Sequence, residues 1–321
     1  MIYPVRILLF CSVLWMAGCD QPAHRDNLNE NQPEAISLLG KELYPNMPAE
    51  SKRKHEQELE QAMSAYSTNP GKLENIIWLG RRTAYLMHYN ESIRIYENGL
   101  KKFPDSYELL RHLGHRQITV RKFDEAIKNL TKAAALAEGK PMEIEPDGIP
   151  NKLNTPLGNI HFNIWYHLGL AHYLKGEFEE ARSAYERCME FSNNNDLLVA
   201  TSDWLYMTLM KLGKRDEAAR VLDSIKVGMK VIENESYYNR LMMYKGNLKP
   251  GDLLNKELIS GSEDLELVLA TQGYGVGNYH MMNGDTARSI EIFSEVVNGS
   301  YWPAFGYIAS EAELARINTK N

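Results

Sequence analysis

The side chains best suited to chemistry in this sequence are its histidines, one cysteine and a few arginines. His112 and His115 lie three residues apart, a spacing that puts two imidazoles on neighbouring faces of a helix. His161, His167 and His172 follow, and Glu143, Glu145 and Asp147 lie nearby. Zinc needs three or four such ligands in a tetrahedral array, and no HExxH, CxxC or paired HxxxH spacing occurs. We expect no metal and no other cofactor. Cys188 is the only cysteine after residue 19. A thiol nucleophile needs a positioned histidine and an orienting acid. None is local, so an inert buried thiol is expected. Gly273-Tyr274-Gly275-Val276-Gly277 superficially has the look of a nucleotide loop, but it follows no strand. With no GxSxG, P-loop or paired-carboxylate pattern, the expectation is a protein that is not an enzyme. Arg81 and Arg111 are the remaining candidates, because guanidinium forks grip carboxylate or phosphate in a bidentate way.

These groups sit in a chain of 321 residues and 36.7 kDa, 44% hydrophobic and 24% charged. That is too apolar for a wholly disordered chain, and three cysteines are too few for a disulfide scaffold. The net charge of −6 and pI near 5.9 argue against nonspecific nucleic-acid binding, which depends on neutralising phosphates.

The N-terminus carries an address. Arg6 precedes an uncharged stretch from Ile7 to Gly18, too short to span a bilayer and suited to the core of a secretory signal. Met16-Ala17-Gly18-Cys19 resembles a bacterial lipobox. That resemblance implies removal of residues 1–18, a diacylglycerol on the Cys19 thiol and often acylation of the new amine. Two or three acyl chains anchor stably where one does not. Residues 19–47 are expected to be a lipidated tether, because residues 20–35 carry almost no bulky apolar side chains.

The rest of the chain repeats. Leu79-Gly80 and Leu113-Gly114 are 34 residues apart, as are Pro70 and Pro104. Leu168-Gly169 follows after 55, which is 34 plus a 21-residue insertion. A small residue on the next helix recurs at Ser92, Ala126, Ala181, Ala218 and Ser289. A large apolar residue follows one turn later at Tyr96, Leu130, Tyr185, Leu222 and Phe293. Small against large at this spacing makes interlocking helix pairs. The segment WYHLGLAHYLKGEFEEARSAYERCMEF, residues 165–191, carries the pattern most fully. The chain resembles the tetratricopeptide repeat family, whose unit is a 34-residue helix–turn–helix.

The resemblance covers residues 48–321 and implies an all-α, right-handed superhelix of antiparallel helix pairs. Units are expected near 73–106, 107–136, 162–195, 199–232 and 270–302. A degenerate unit at 233–265 is broken by Pro250-Gly251, a loop insertion falls at 137–160, and a cap helix at 303–318 closes the array. By the family's geometry the first helices line a concave groove. This places Arg81 and Tyr85, Arg111 and His115, and Tyr166 and Tyr173 there as candidate ligand-binding residues, with Asp203, Met207, Tyr274 and Asn278 further along. The carboxylate clamp of chaperone-binding members is not matched, since Ile77 and Arg81 stand at its positions. In the insertion, Met142, Ile144, Ile149 and Leu153 are candidate apolar anchors, and its acids are expected either to face Arg81 and Arg111 or to stay solvated. The expected function is a non-catalytic scaffold of the bacterial cell envelope. It would be lipid-anchored, face the periplasm or exterior, and hold a protein or peptide in the groove. The alternative is a pocket for a small anionic ligand, binding or enzymatic, between the first three units and the insertion.

Overall fold

The computed structural model describes residues 31–255 and 265–319. The signal segment, Cys19 and the tether up to residue 30 lie outside these residues. The described chain is helical apart from one two-residue hairpin, β1 (Ala35–Ile36) with β2 (Glu42–Leu43). A leading helix α1 (Ala49–Thr68) precedes four regular pairs: α2 (Leu73–Tyr85) with α3 (Tyr89–Lys102), α4 (Tyr107–Thr119) with α5 (Phe123–Ala137), α6 (Ile160–Lys175) with α7 (Phe178–Glu190), and α8 (Asn195–Lys211) with α9 (Arg215–Leu222). The irregular pair is α10 (Glu235–Tyr244) with the single turn α11 (Pro250–Leu253). The last pair is α12 (Leu265–Met282) with α13 (Thr286–Asn298), and α14 (Phe305–Asn318) ends the chain.

One contact recurs and explains the period. A Cβ added at Gly80 would collide with the Tyr96 ring, one at Gly114 with Leu130, one at Gly169 with Tyr185 and one at Gly277 with Phe293. The glycine of each first helix therefore receives the large residue of its partner helix, which brings the two backbones close. Side-chain caps start several helices: Ser106, Asn159, Asn194 and Asp285 each accept the N–H of the residue three positions on. The turn between paired helices uses a left-handed residue. Gly176, Gly213 and Gly284 occupy it in later pairs, whereas Met87 and Arg121 hold positive φ in the first two.

The cap expectation needs correcting. α14 does not close the end of an open array; it lies inside it. Nine consecutive residues, Gly306 to Leu314, are buried. Ile308, Ala309 and Ala312 share a core with Tyr166, Leu170 and Tyr173 of α6 and Tyr274 of α12. A helix covered on every side belongs in a protein's centre. Its charged side chains are matched by the surrounding helices: Arg121 pairs with Glu311, Lys211 reaches Glu313 at 2.8 Å, and Arg316 donates to the Leu174 carbonyl at 2.9 Å.

The tether boundary also shifts. Residues 34–47 are ordered because Ala35 and Leu43 enter the core. The Tyr44 carbonyl accepts from Trp302 Nε1 at 2.8 Å, and Asn90 binds the Glu34 carboxylate through its backbone N–H at 2.8 Å. Tyr89 meets Trp302 edge-on at 5.4 Å. The first pair is thus joined to the segment that leads into the last helix.

Candidate functional site

The insertion, residues 138–159, crosses from α5 to α6 over the faces of α2 and α4. On α2 the i, i+4 spacing sets Ile77, Arg81 and Tyr85 on one stripe, with Trp78 and Arg82 beside it. On α4, Tyr107, Glu108, Arg111 and His112 face the same space. The insertion brings Glu145 between them. Its carboxylate lies 3.2 Å from Arg111 Nε, 3.9 Å from Arg81 Nη1 and 3.3 Å from His112 Nε2, and it accepts from Asn163 Nδ2 at 2.8 Å. Arg81 also donates to the Pro146 carbonyl at 2.8 Å, and Arg82 to the Gly148 carbonyl at 3.0 Å. Main-chain bonds from Glu145 N to Gly158 O and from Ile160 N to Glu143 O close the base of the insertion. Gly148 sits so close to Tyr85 and Arg81 that a side chain there would collide with both.

The electrostatics follow from burial. Arg111 is 8% exposed, and desolvation lowers its pKa against the opposing pull of Glu145. Burial also lowers the Arg81 pKa, but Tyr85 and Glu145 outweigh it and leave the net shift upward. His112, His115 and His167 are held well below the usual imidazole range, first by burial and then by neighbouring arginines. The cluster thus contains neutral imidazoles, and guanidinia matched by the Glu145 carboxylate.

The structure divides the six expected ligand-binding residues. Arg81, Tyr85 and Arg111 meet at the insertion. His115 does not face an open groove: its ring lies 4.2 Å from His167 and 5.4 Å from Phe305 of α14. Tyr166 and Tyr173 are buried too. Tyr166 accepts from Trp204 Nε1 at 2.7 Å and donates to Tyr237 at 3.1 Å, while the Tyr173 and Tyr274 hydroxyls share a bond of 2.5 Å. Asp203, another expected groove residue, is fully buried against Arg240 of the irregular pair. The physical reason is common to these corrections: α14 and α10 occupy the channel these side chains were expected to line.

The insertion differs from expectation in the opposite sense. Met142, Ile144, Ile149 and Leu153 are not anchors; they are 48%, 67%, 64% and 63% exposed. Polar groups do the anchoring, so the apolar side chains are left outside. Beneath Ile144 lies a cavity of about 130 Å³ whose lining includes Trp78, Arg81, Tyr107 and Glu145. A second, of about 520 Å³, is lined by residues that include Glu266, Val296, Tyr301 and Tyr307. Sequence reasoning missed Trp78 and did not single out Glu145 from its acidic neighbours; the only signal was Pro146-Asp147-Gly148, a turn that fixes the direction of the preceding residue.

Among the described residues no group of three metal-ligating side chains comes together, and no helix is long and apolar enough to cross a membrane. Cys188 is fully buried, 3.3 Å from Thr201 Oγ1, and burial pushes its thiol up to about 12.

Residues 162–195, the α6–α7 pair, match the family model described as Tetratricopeptide repeat. Similar solved structures include MamA from AMB-1, at 18% identity over 60% of this chain and 92% of that one, with a TM-score of 0.41. YrrB, described as a TPR protein with an unusual peptide-binding site, is 14% identical over 82% of this chain and 100% of its own, at 0.41. A tetratricopeptide repeat protein from Parabacteroides merdae is 14% identical over 83% and 92%, at 0.44. A comparison with curated protein sequences gives no match.

Proposed function

We propose that this tetratricopeptide-repeat chain is a non-catalytic scaffold of a bacterial cell envelope, and that it holds a protein or peptide partner where α2, α4 and the insertion meet. One observation carries the reading. Three arginines clamp the insertion through a carboxylate and two carbonyls, and the clamp leaves Met142, Ile144, Ile149 and Leu153 facing solvent. Large apolar side chains left exposed on a backbone held in place are candidates for an interaction surface. A partner lies against this outer edge, because α14 fills the channel between the first helices of the pairs. Glu145 takes the place an anionic ligand would need between Arg81 and Arg111, which removes support for a small anion pocket there.

The envelope part of the reading rests on the Cys19 sequence. A lipidated Cys19 would tie the folded part to a membrane through a short polar tether. Replacing Cys19 by serine should release the chain from membranes, and continued membrane association would contradict the anchor. The partner surface is tested by Ile144→Asp/Ile149→Asp. Proteins that co-purify with the parent from its own envelope should be lost from this variant while its helical content and melting temperature are kept. Undiminished co-purification would sink the surface.

A further inference from the structure

Four large apolar side chains stand exposed on one small element, the β1–β2 hairpin: Ile36 at 52%, Leu38 at 37%, Leu39 at 40% and Tyr44 at 39%. The register explains them. Ala35 pairs with Leu43 and Ile36 with Glu42, and side chains alternate between the two faces of a ribbon. Ala35 and Leu43 enter the core. Ile36, Glu42 and Tyr44 therefore share the outer face, and Leu38 and Leu39 lie in the turn beyond it. The Tyr44 hydroxyl donates to the Glu42 carboxylate at 2.7 Å.

The turn is held from within. Ser37 N donates to the Lys41 carbonyl at 2.8 Å, and Gly40 N to the Ser37 carbonyl at 3.0 Å. Ser37 Oγ accepts from Leu39 N at 3.2 Å and from Lys41 N at 3.0 Å, and Leu38 N reaches Glu311 Oε2 at 3.4 Å. Gly40 allows the bend with φ of 82°. Five consecutive main-chain donors, Ser37 to Lys41, thus have partners inside the protein. A turn in water can leave such donors to solvent; a turn entering hydrocarbon cannot.

Position says what covers the tip. β1 begins sixteen residues after Cys19, a path of at most about 58 Å whatever its conformation. It is the first element of the described fold that the chain from Cys19 reaches. Residues 20–30 offer one large apolar side chain, Leu28, which cannot cover four. A stable protein interface takes roughly 800 Å² on each partner, more than four partly exposed side chains present. A bilayer needs no complementary surface.

We propose that the hairpin tip is a second membrane contact, with Leu38 and Leu39 entering the acyl region of the bilayer that holds Cys19. Ile36 and Tyr44 lie at headgroup level, where a ring with a polar end is at home. The proposal rests on the lipid-anchor reading above and adds which face of the folded part meets the membrane. Lys41 and Glu42 offset one another in charge, so the contact is apolar and does not depend on salt.

The test uses the mature chain extracted from its own membranes and reconstituted into vesicles of phosphatidylethanolamine and phosphatidylglycerol. Cys188 is fully buried and Cys19 carries lipid, so Leu39→Cys supplies one accessible thiol for an environment-sensitive fluorophore. Glu180→Cys on α7 is the control. On vesicles the label at 39 should shift to the blue, brighten severalfold and be quenched by lipids with brominated acyl chains, at low and high salt alike; the label at 180 should do none of these. Adding Ile36→Asp/Leu38→Asp should return the label at 39 to its aqueous spectrum while the chain still floats with the vesicles. A label at 39 that behaves like the one at 180 on floating vesicles overturns the tip contact and leaves the anchor standing. A shift that survives Ile36→Asp/Leu38→Asp belongs to the fluorophore and also overturns it. A chain that does not float with vesicles takes down the anchor and the tip contact together.

Discussion

Arg121 and Glu311, 190 residues apart in sequence, form a two-pronged ion pair with Nε 3.0 Å from Oε2 and Nη2 2.9 Å from Oε1. Their side chains are 3% and 0% exposed. Arg121 also donates to the Trp302 carbonyl at 3.1 Å and holds a left-handed backbone at φ 65° in the turn after α4. A non-glycine residue there carries strain, and its side chain ties α4 to α14. Removing one partner of a buried pair strands the other. Arg121→Ala should therefore cost about 3–5 kcal/mol, whereas Arg121→Leu/Glu311→Leu should recover much of it. Urea unfolding of both variants checks this; a loss below about 1 kcal/mol for Arg121→Ala would mean that α14 is not held this way.

Acid should weaken the fold through three buried imidazoles. His112, His115 and His167 all have folded pKa values lowered well below 6.5. The unfolded chain takes up these protons as pH falls below about 6.5 and the folded chain does not, so stability drops with falling pH. Three such protons give a limiting slope of about 4 kcal/mol per pH unit. Thermal unfolding between pH 7 and pH 5 should show this, and His115→Phe should lower the slope by about a third. A flat profile would contradict buried neutral imidazoles.

The insertion should open on its own. Arg81→Ala removes the bond to the Pro146 carbonyl, and Gly148→Ala drives a methyl into Tyr85. Charged hydrogen bonds of this kind contribute about 1.5–3 kcal/mol. Amides of Glu145 and Ile160 should exchange with deuterium roughly ten- to a hundredfold faster, while core helices keep their protection. Unchanged exchange in both variants would deny the arginine clamp.

Two glycines should answer differently to alanine. A Cβ at Gly306 meets the backbone of Ala270, which cannot give way, so overpacking should cost about 1–3 kcal/mol. Gly213 has open space around it but φ of 73°, so its alanine should cost about 1 kcal/mol from strain alone. Chemical denaturation of the pair separates crowding from conformation; equal losses would count against α14 packing tightly on α12.

What the sequence made legible was local. The contact of Gly80 with Tyr96, repeated at Gly114, Gly169 and Gly277, follows from a period that needs no knowledge of the whole. What it hid was set by distance. Glu311, Glu313 and Arg316 give the last helix the polar look of an exposed cap, and their partners Arg121, Lys211 and Leu174 lie in three other pairs. Once α14 occupies the channel, Tyr166 and Tyr173 become core. The insertion misled for a related reason. Its apolar side chains suggested anchors, but Arg81 and Arg82 bind carbonyls, and no side-chain pattern advertises a carbonyl.

The central claim is that partners meet the outer edge at the insertion and not the channel. A photo-crosslinking amino acid placed at Ile144 or Ile149, and in a control at the exposed Glu180 of α7, tests it in intact cells. The account predicts the same discrete adduct from positions 144 and 149, none from 180, and loss of the adduct when Arg81→Ala frees the insertion. Adducts from position 180 with none from 144 or 149 would contradict it.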